Sequence, residues 1–123
     1  MNDYLVLSRG RWDRHLSKEV IQRAIDDFYA WYEANLAAGK MKPGQRLGLG
    51  GKVVSRLSIT DGPFTESKEL IGGYWIIVAA SLEEAAALAA QNPCLACGLT
   101  YEIRPIEHER ASAFTRTNET PRD

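Results

Sequence analysis

The sequence lacks the features that mark several common classes of protein. Basic residues do not exceed acidic ones, with 15 Lys and Arg against 16 Asp and Glu, whereas a nucleic-acid-binding domain normally carries a basic excess on one face. No apolar run approaches the roughly 20 residues needed to cross a bilayer, and the first residues lack the basic-then-apolar pattern of a secretory signal. These absences predict a cytoplasmic protein that binds neither nucleic acid nor membrane.

Cysteine and histidine are scarce, which limits thiol and metal chemistry. The cysteines, Cys94 and Cys97, form a C-x-x-C pair, and the histidines are His15 and His108. Such a pair can be a redox centre, half of a zinc site or two free thiols. A redox thiol needs a helix N-terminus, whereas Pro93 places this pair after a helix end, and zinc would need the pair of a second copy. We therefore expect plain thiols, no metal and no cofactor.

The residues that are present fit a single globular domain. Apolar residues make up 45% and charged residues 25% of the 123, which is the usual globular mixture, and this length suffices for one core. Residues 110–123 are polar with few apolar side chains, which predicts a loose tail. The sequence therefore indicates one domain over residues 1–109.

Hydrophobic periodicity predicts two helices. From residue 21 to 36, apolar residues recur at three- and four-residue steps, after an N-cap at Ser17 and before a left-handed stop at Gly39. The second helix begins with a capping box, Ser81–Glu84, and ends before Pro93.

Four further segments have the pattern of strands. They are residues 4–8, 53–59, 73–79 and 100–106. The glycine-rich segment 40–52 is interpreted as a loop with at most a short strand near Leu47. The order strand, helix, strand, strand, helix, strand predicts the α+β class, with a ferredoxin-like βαββαβ antiparallel sheet and both helices on one face.

The second face of the predicted sheet would be open to water. In the central strand, Trp75 and Ile77 alternate with Tyr74 and Ile76, so both faces are apolar. A bare apolar face is an association surface. We therefore expect a homodimer through the sheet faces, with one of the two aromatic rings beneath the helices and the other in the dimer interior.

The connection between the two middle strands carries the most chemical information. Its 11 residues, 60–70, are long for a hairpin loop, which usually has about 2 to 5. Asp61 is the candidate catalytic residue, as a general base or a hydrogen-bonding anchor, with an Asx-turn as the structural alternative. Glu66 and Lys68 are candidates for binding a polar substrate, or are simply solvated loop charges.

Two aromatic residues complete the candidate substrate-binding set. Trp12 follows the first strand with Arg9, Arg11 and Arg14, and could rim a cleft that attracts an anion or belong to a solvated loop. The Tyr74 hydroxyl could contact a ligand, although core packing explains the ring equally well.

Residues 61–69 (DGPFTESKE), followed by residues 71–74 (IGGY), resemble the DGPF-motif proteins of the YCII-related family. Other segments agree in order, so that the resemblance covers about residues 4–106. It implies a dimeric α+β barrel, in which two ferredoxin-like subunits join through their sheets.

The resemblance also bears on activity. The fold is similar to that of small oxygenases, isomerases and decarboxylase-like enzymes, and some relatives look like accessory domains associated with extracytoplasmic-function sigma factors. In the wider family a His–Asp pair has been proposed as catalytic, and here only Asp61 lies in the matching motif. Two hypotheses follow: a dimeric small-molecule-binding or regulatory module with a cleft near Asp61, and a small cofactor-independent enzyme with Asp61 as acid or base.

Overall fold

The structure is a computed structural model that describes residues 1–62 and 70–122. Within these ranges the strands are β1 (Asn2–Arg9), β2 (Met41–Arg46), β3 (Lys52–Val54), β4 (Ile59–Asp61), β5 (Ile71–Ala79) and β6 (Thr100–Pro105). The helices are α1 (Lys18–Ala37) and α2 (Leu82–Ala89), and a short 3-10 helix, Pro93–Cys97, precedes β6.

A four-stranded antiparallel sheet organises the chain. Its strand order is β2-β5-β1-β6, so that the first strand lies in the centre, where Val6 pairs with Trp75 on one side and Ile103 on the other. Residues of both helices pack against the same face of this sheet. The predicted ferredoxin-like α+β fold is confirmed.

Both helices begin and end through local signals in the sequence. The Ser17 hydroxyl accepts a hydrogen bond from the Val20 amide at 3.2 Å, and Gly39 follows α1 with φ +75°, a conformation that favours glycine. The Ser81 hydroxyl accepts from the Glu84 amide at 3.1 Å. The predicted helices are therefore confirmed with their caps.

The second strand of the sheet lies elsewhere than predicted. It is β2, within the predicted loop 40–52, whereas the predicted strand 53–59 contributes to a separate hairpin of β3 and β4. An edge strand tolerates Pro43. Only Met41 among its residues is buried, so the segment lacks the alternation of apolar and polar residues that would predict a strand. A Cβ on Gly44 would fall on the Tyr74 carbonyl oxygen, so close approach to β5 requires glycine there.

The main core lies between the sheet and the two helices. The small residues of α2 allow the helix to lie close to the strands, and larger aromatic side chains from α1 fill the remaining space. Its buried members are Tyr4, Val6, Met41, Trp75, Ile77, Ala79, Ala85 and Ala89. As predicted for one of the two rings, Trp75 packs beneath the helices, while Tyr74 lies on the opposite face.

A second, smaller cluster closes one end of the helix layer. Ala24 of α1 packs with Cys94 and Cys97 of the 3-10 helix, and Trp12 packs against them. Both cysteines are buried free thiols, and the Cys94 thiol donates to the Ala24 carbonyl at 3.7 Å. The pair thus contributes to packing at this end.

Residues 1–62 and 70–122 contain neither a candidate membrane span nor a candidate metal cluster. None of their helices combines the length and apolarity that a bilayer-spanning segment needs. No group of three or more His, Cys, Asp or Glu side chains is arranged there to hold a metal ion.

Candidate functional site

Asp61, the candidate catalytic residue, is exposed in its own chain. It ends β4, its carboxylate is 86% exposed, and it forms an ion pair with Lys52 on the neighbouring strand. Every residue of β3 and β4 is exposed, Asp61 included. Phe64, Glu66 and Lys68 lie outside the described residues.

Trp12 and Tyr74 do not meet in one cleft. Trp12 packs on the helix side, against the cluster of Ala24, Cys94 and Cys97. Tyr74 lies on the other face of the sheet, because it neighbours the buried Trp75 in the alternating strand β5. Within one subunit, the two predicted substrate-binding aromatics therefore belong to different surfaces.

Several of the predicted segments meet at one end of the sheet. Strands β1 and β2 end there, and β5 and β6 begin there, as their antiparallel pairing requires. The Gly10 amide donates to the Leu70 carbonyl at 3.1 Å, and the Leu47 amide donates to the Gly72 carbonyl at 2.9 Å. The connection that follows Asp61 thus returns to the sheet beside the loop that carries Trp12.

On the helix side of this end lies a polar cluster around Tyr101, which the sequence alone did not single out. Tyr101 pairs in register with Ser8. Burial raises the pKa of the Tyr101 hydroxyl, the neighbouring Cys94 adds to the rise, and the nearby polar side chains of Ser8 and Asn92 oppose it. Burial also raises the pKa of the Cys94 thiol. Both groups are therefore neutral hydrogen-bonding groups at physiological pH.

Two buried donors beside Tyr101 have no hydrogen-bond partner among the described residues. They are the Trp75 indole Nε1 and the Asn92 amide Nδ2. The Trp75 and Tyr101 ring centroids are 5.6 Å apart, and Asn92 is itself only 3% exposed. Buried donors are nearly always paired, and an unpaired one costs about 1–3 kcal/mol. The pair marks a place where a ligand or water can supply acceptor atoms.

Aromatic rings from α1 lie over the same region. Phe28 stacks on Tyr32 at 5.4 Å and approaches Trp75 at 5.2 Å, and Tyr32 approaches Trp75 at 5.8 Å. The four-residue spacing of Phe28 and Tyr32 is the one sequence signal that could have found this cluster, because such a step places two rings on one helical face. Asn92 and Ser8 give no such signal.

The open face of the sheet has an apolar centre and a charged rim. Leu5 and Leu7 of β1 adjoin Tyr74 and Ile76 of β5 in register, and all four residues are partly buried. The described helices pack on the opposite face, against the core that contains Trp75. At the rim, Glu102 contacts Arg9 at 2.6 Å and Arg104 at 3.1 Å. Hydrogen bonding to Arg9, and then to Arg104, lowers the pKa of Glu102, so the rim keeps its charge. This distribution is typical of a protein interface.

A histidine–carboxylate contact lies at the other end of the sheet. His108 Nε2 is 3.6 Å from Asp3 Oδ2, and the same carboxylate contacts Lys42 at 3.0 Å. The three residues border a groove of about 390 Å³. The His108 side chain is 71% exposed, and Asp3 lies at the opposite end of β1 from Ser8, so the contact is separate from the Tyr101 cluster.

Comparison with known proteins identifies the family. The chain belongs to the YCII-related domain family, whose model matches residues 3–109. It is 33% identical over 104 residues to an uncharacterized protein of Rhizobium meliloti (strain 1021), in a match that covers 73% of this chain and 78% of that protein. The resemblance predicted from the motif at residues 61–69 is confirmed.

Two solved structures are distantly similar. A 5-chloro-2-hydroxyhydroquinone dehydrochlorinase from Burkholderia phenoliruptrix AC1100, in complex with 2,5-dihydroxybenzoquinone, has a TM-score of 0.48, 18% identity and coverage of 87% of this chain and 95% of that chain. A hydroxynitrile lyase from Passiflora edulis has a TM-score of 0.40, 18% identity and coverage of 89% and 98%. Likenesses this distant carry no information on what this chain binds.

Proposed function

We propose that the protein is a homodimeric module that binds a small organic molecule at the polar cluster around Tyr101. The observation that carries the proposal is the pair of buried, unpartnered donors on Trp75 and Asn92. A ligand whose oxygen atoms reached these donors would recover the cost of leaving each of them unpaired.

The surroundings of these donors favour a flat, uncharged ligand body. Phe28, Tyr32 and Trp75 present ring surfaces, and Tyr101 adds a hydroxyl that its raised pKa keeps protonated. Burying an ion without a paired opposite charge is costly, which disfavours a charged group beside Trp75 and Asn92. Glu66 and Lys68, which lie outside the described residues, stay candidates for binding a polar substrate.

The homodimer is proposed through the open sheet face. Leu5, Leu7, Tyr74, Ile76 and Val78 form its apolar centre. Contiguous apolar surface of this kind is uncommon on monomers and marks association sites. Two such faces, related by a twofold axis, would cover each other, which is the simplest closed arrangement.

A role in binding is favoured over catalysis by Asp61. A general base works best when its environment tunes its proton affinity and its geometry is held by neighbours, whereas this carboxylate is exposed and paired with Lys52. The predicted link to sigma factors and the predicted cytoplasmic location rest on resemblance and composition, and they stay predictions.

The test is to incubate the protein with a metabolite mixture and to compare bound and free components by mass spectrometry before and after incubation. We expect saturable binding of one component without a product. Trp75→Phe, which keeps a ring and removes the indole N–H, should weaken that binding about tenfold, since a lost hydrogen bond is worth about 1 kcal/mol or more.

Trp31→Phe is the matched control. Its indole nitrogen donates to the exposed Gln91 side chain at 3.4 Å rather than facing the cluster, so binding should be unchanged. Chemical conversion of any component would favour the enzyme hypothesis over the binding module. The proposed site would be overturned if no component bound saturably, or if Trp75→Phe bound with the same affinity as wild type.

A further inference from the structure

An apolar arm projects from the end of β2. We define the arm as residues 47–61, which contain the β3–β4 hairpin, and all of its residues are exposed. Exposure of its large apolar side chains runs from 45% at Leu47 and Val53 to 71% at Ile59, 92% at Leu57 and full exposure at Leu49. Exposed apolar surface of this extent, in one continuous segment, marks an interaction surface.

The arm is an ordered hairpin rather than a loose loop. Val53 pairs with Thr60 and Val54 with Ile59, and the Ser55 amide donates to the Ser58 carbonyl at 2.9 Å across the tip. A two-stranded hairpin without further packing is only marginally stable in water. The arm therefore needs a surface to pack against, and its own subunit leaves its side chains exposed.

The size of the open sheet face indicates where that surface is. Four strands spaced about 4.8 Å apart and about 20 Å long span roughly 400 Å² in projection, and a stable interface typically buries roughly 800 Å² of accessible surface on each partner. A face of this size leaves little margin for a stable dimer, so apolar area beside it would strengthen the interface. The arm follows directly on β2, the edge strand that borders this face, and carries the additional apolar area.

We propose that the arm docks on the partner subunit of the homodimer, so that each copy covers apolar surface of the other with residues 47–61. The inference rests on the proposed homodimer and adds a second element to its interface. Asp61, the last residue of the arm, then lies between the two subunits, which explains why its own chain leaves it uncovered.

The test is the dimer dissociation constant of the full-length chain, measured by analytical ultracentrifugation. Leu57→Ser combined with Ile59→Ser should weaken the dimer at least tenfold, while far-UV circular dichroism stays unchanged because both side chains are exposed. Phe114→Ser, at a fully exposed position in the C-terminal segment, is the matched control and should leave the constant unchanged. A photo-reactive phenylalanine at position 57 should give covalent dimers, whereas one at position 114 should not.

Two reference results separate this inference from the proposal on which it rests. Ile76→Glu, on the open sheet face, should give monomers. If it does so while the arm variant dimerises like wild type, or if position 57 forms no covalent dimer, the homodimer stands and arm docking is overturned. A wild-type chain that is monomeric at micromolar concentration would overturn the homodimer itself, together with the arm contact.

Discussion

The two faces of strand β5 are nearly equal in composition and differ in cover. Trp75 and Ile77, on the inner face, are 6% and 0% exposed beneath the helices, whereas Tyr74 and Ile76, on the outer face, are only partly buried. Alternation along one strand places them there. Apolar character alone therefore does not make a core, because only the inner face of this strand is covered by the helices.

Polar groups differ between the two faces in the opposite sense, because those of the outer face are paired and two of the inner face are not. On the outer face, Glu102 is matched by Arg9 and Arg104. On the inner face, the Trp75 indole and the Asn92 amide keep donors without partners among the described residues. The inner face thus keeps two buried donors without hydrogen-bond partners, whereas the charges of the outer face are paired.

Paired truncations of neighbouring residues test the comparison most directly. Ile77→Ala should lower the free energy of unfolding by about 2–5 kcal/mol, because it leaves a cavity in the core. Ile76→Ala should cost less than about 1 kcal/mol in the dissociated subunit and act mainly on the dimer. Urea unfolding at protein concentrations below and above the dimer constant measures both, and equal losses at low concentration would contradict the assignment of the two faces.

Substitutions at Gly44 and Gly48 test the pairing of β2 with β5 at the edge of the sheet. Gly44→Ala should lower the free energy of unfolding by about 3 kcal/mol, since its Cβ would fall on the Tyr74 backbone and separate β2 from β5. Gly48→Ala is the control, because a Cβ there meets no atom within 4 Å. Thermal unfolding of both variants checks the difference, and a Gly44→Ala variant as stable as Gly48→Ala would argue against the pairing of β2.

The inner polar cluster predicts a loss of stability at alkaline pH. The folded pKa of Tyr101 lies above its ordinary value of 10.0 and that of Cys94 above 9.0, so the unfolded chain releases these protons first. Their contribution is therefore fully present below pH 9 and is lost as the pH rises beyond these ordinary values. Between pH 10 and 11 Tyr101 alone should account for about 1 kcal/mol.

Tyr101→Phe removes this titration and leaves the ring in place. Urea unfolding at pH 8, 10 and 11 should therefore show a shallower alkaline decline for the variant than for wild type. Parallel declines would mean that the Tyr101 hydroxyl is as accessible in the folded chain as in the unfolded one.

The smallest effect is expected outside both faces. Asp61→Asn should change the free energy of unfolding of the dissociated subunit by less than about 1 kcal/mol, because an exposed ion pair contributes little. Chemical denaturation checks this value at low protein concentration. A larger loss would show that the carboxylate is covered within its own subunit, and loss of turnover of an identified substrate would favour the enzyme hypothesis.

Local signals in the sequence predicted most of the fold. Ser17, Gly39 and Ser81 act on the backbone within a few residues, so the helix limits can be read from the chain. The edge strand β2 was missed because its partner requires Gly44 and its position tolerates Pro43, two residues that ordinarily indicate a loop. The family followed from a contiguous motif at residues 61–69.

The candidate site was only partly predictable. Asp61 and Tyr74 stood out through their sequence neighbours, but the structure places Tyr74 on the open face and leaves Asp61 exposed. Ser8, Asn92 and Tyr101 come from three distant segments and look ordinary in each, so nothing local indicated that they meet.

By itself, the sequence determined the α+β class, the two capped helices, the family and the presence of two apolar faces on β5, since each depends on periodicity or on a contiguous motif. Only the tertiary structure decided which face the helices cover, which strand forms the sheet edge, and that the Trp75 and Asn92 donors lie buried beside Tyr101. These outcomes depend on pairing between segments far apart in the chain, where packing and close backbone approach override local preference.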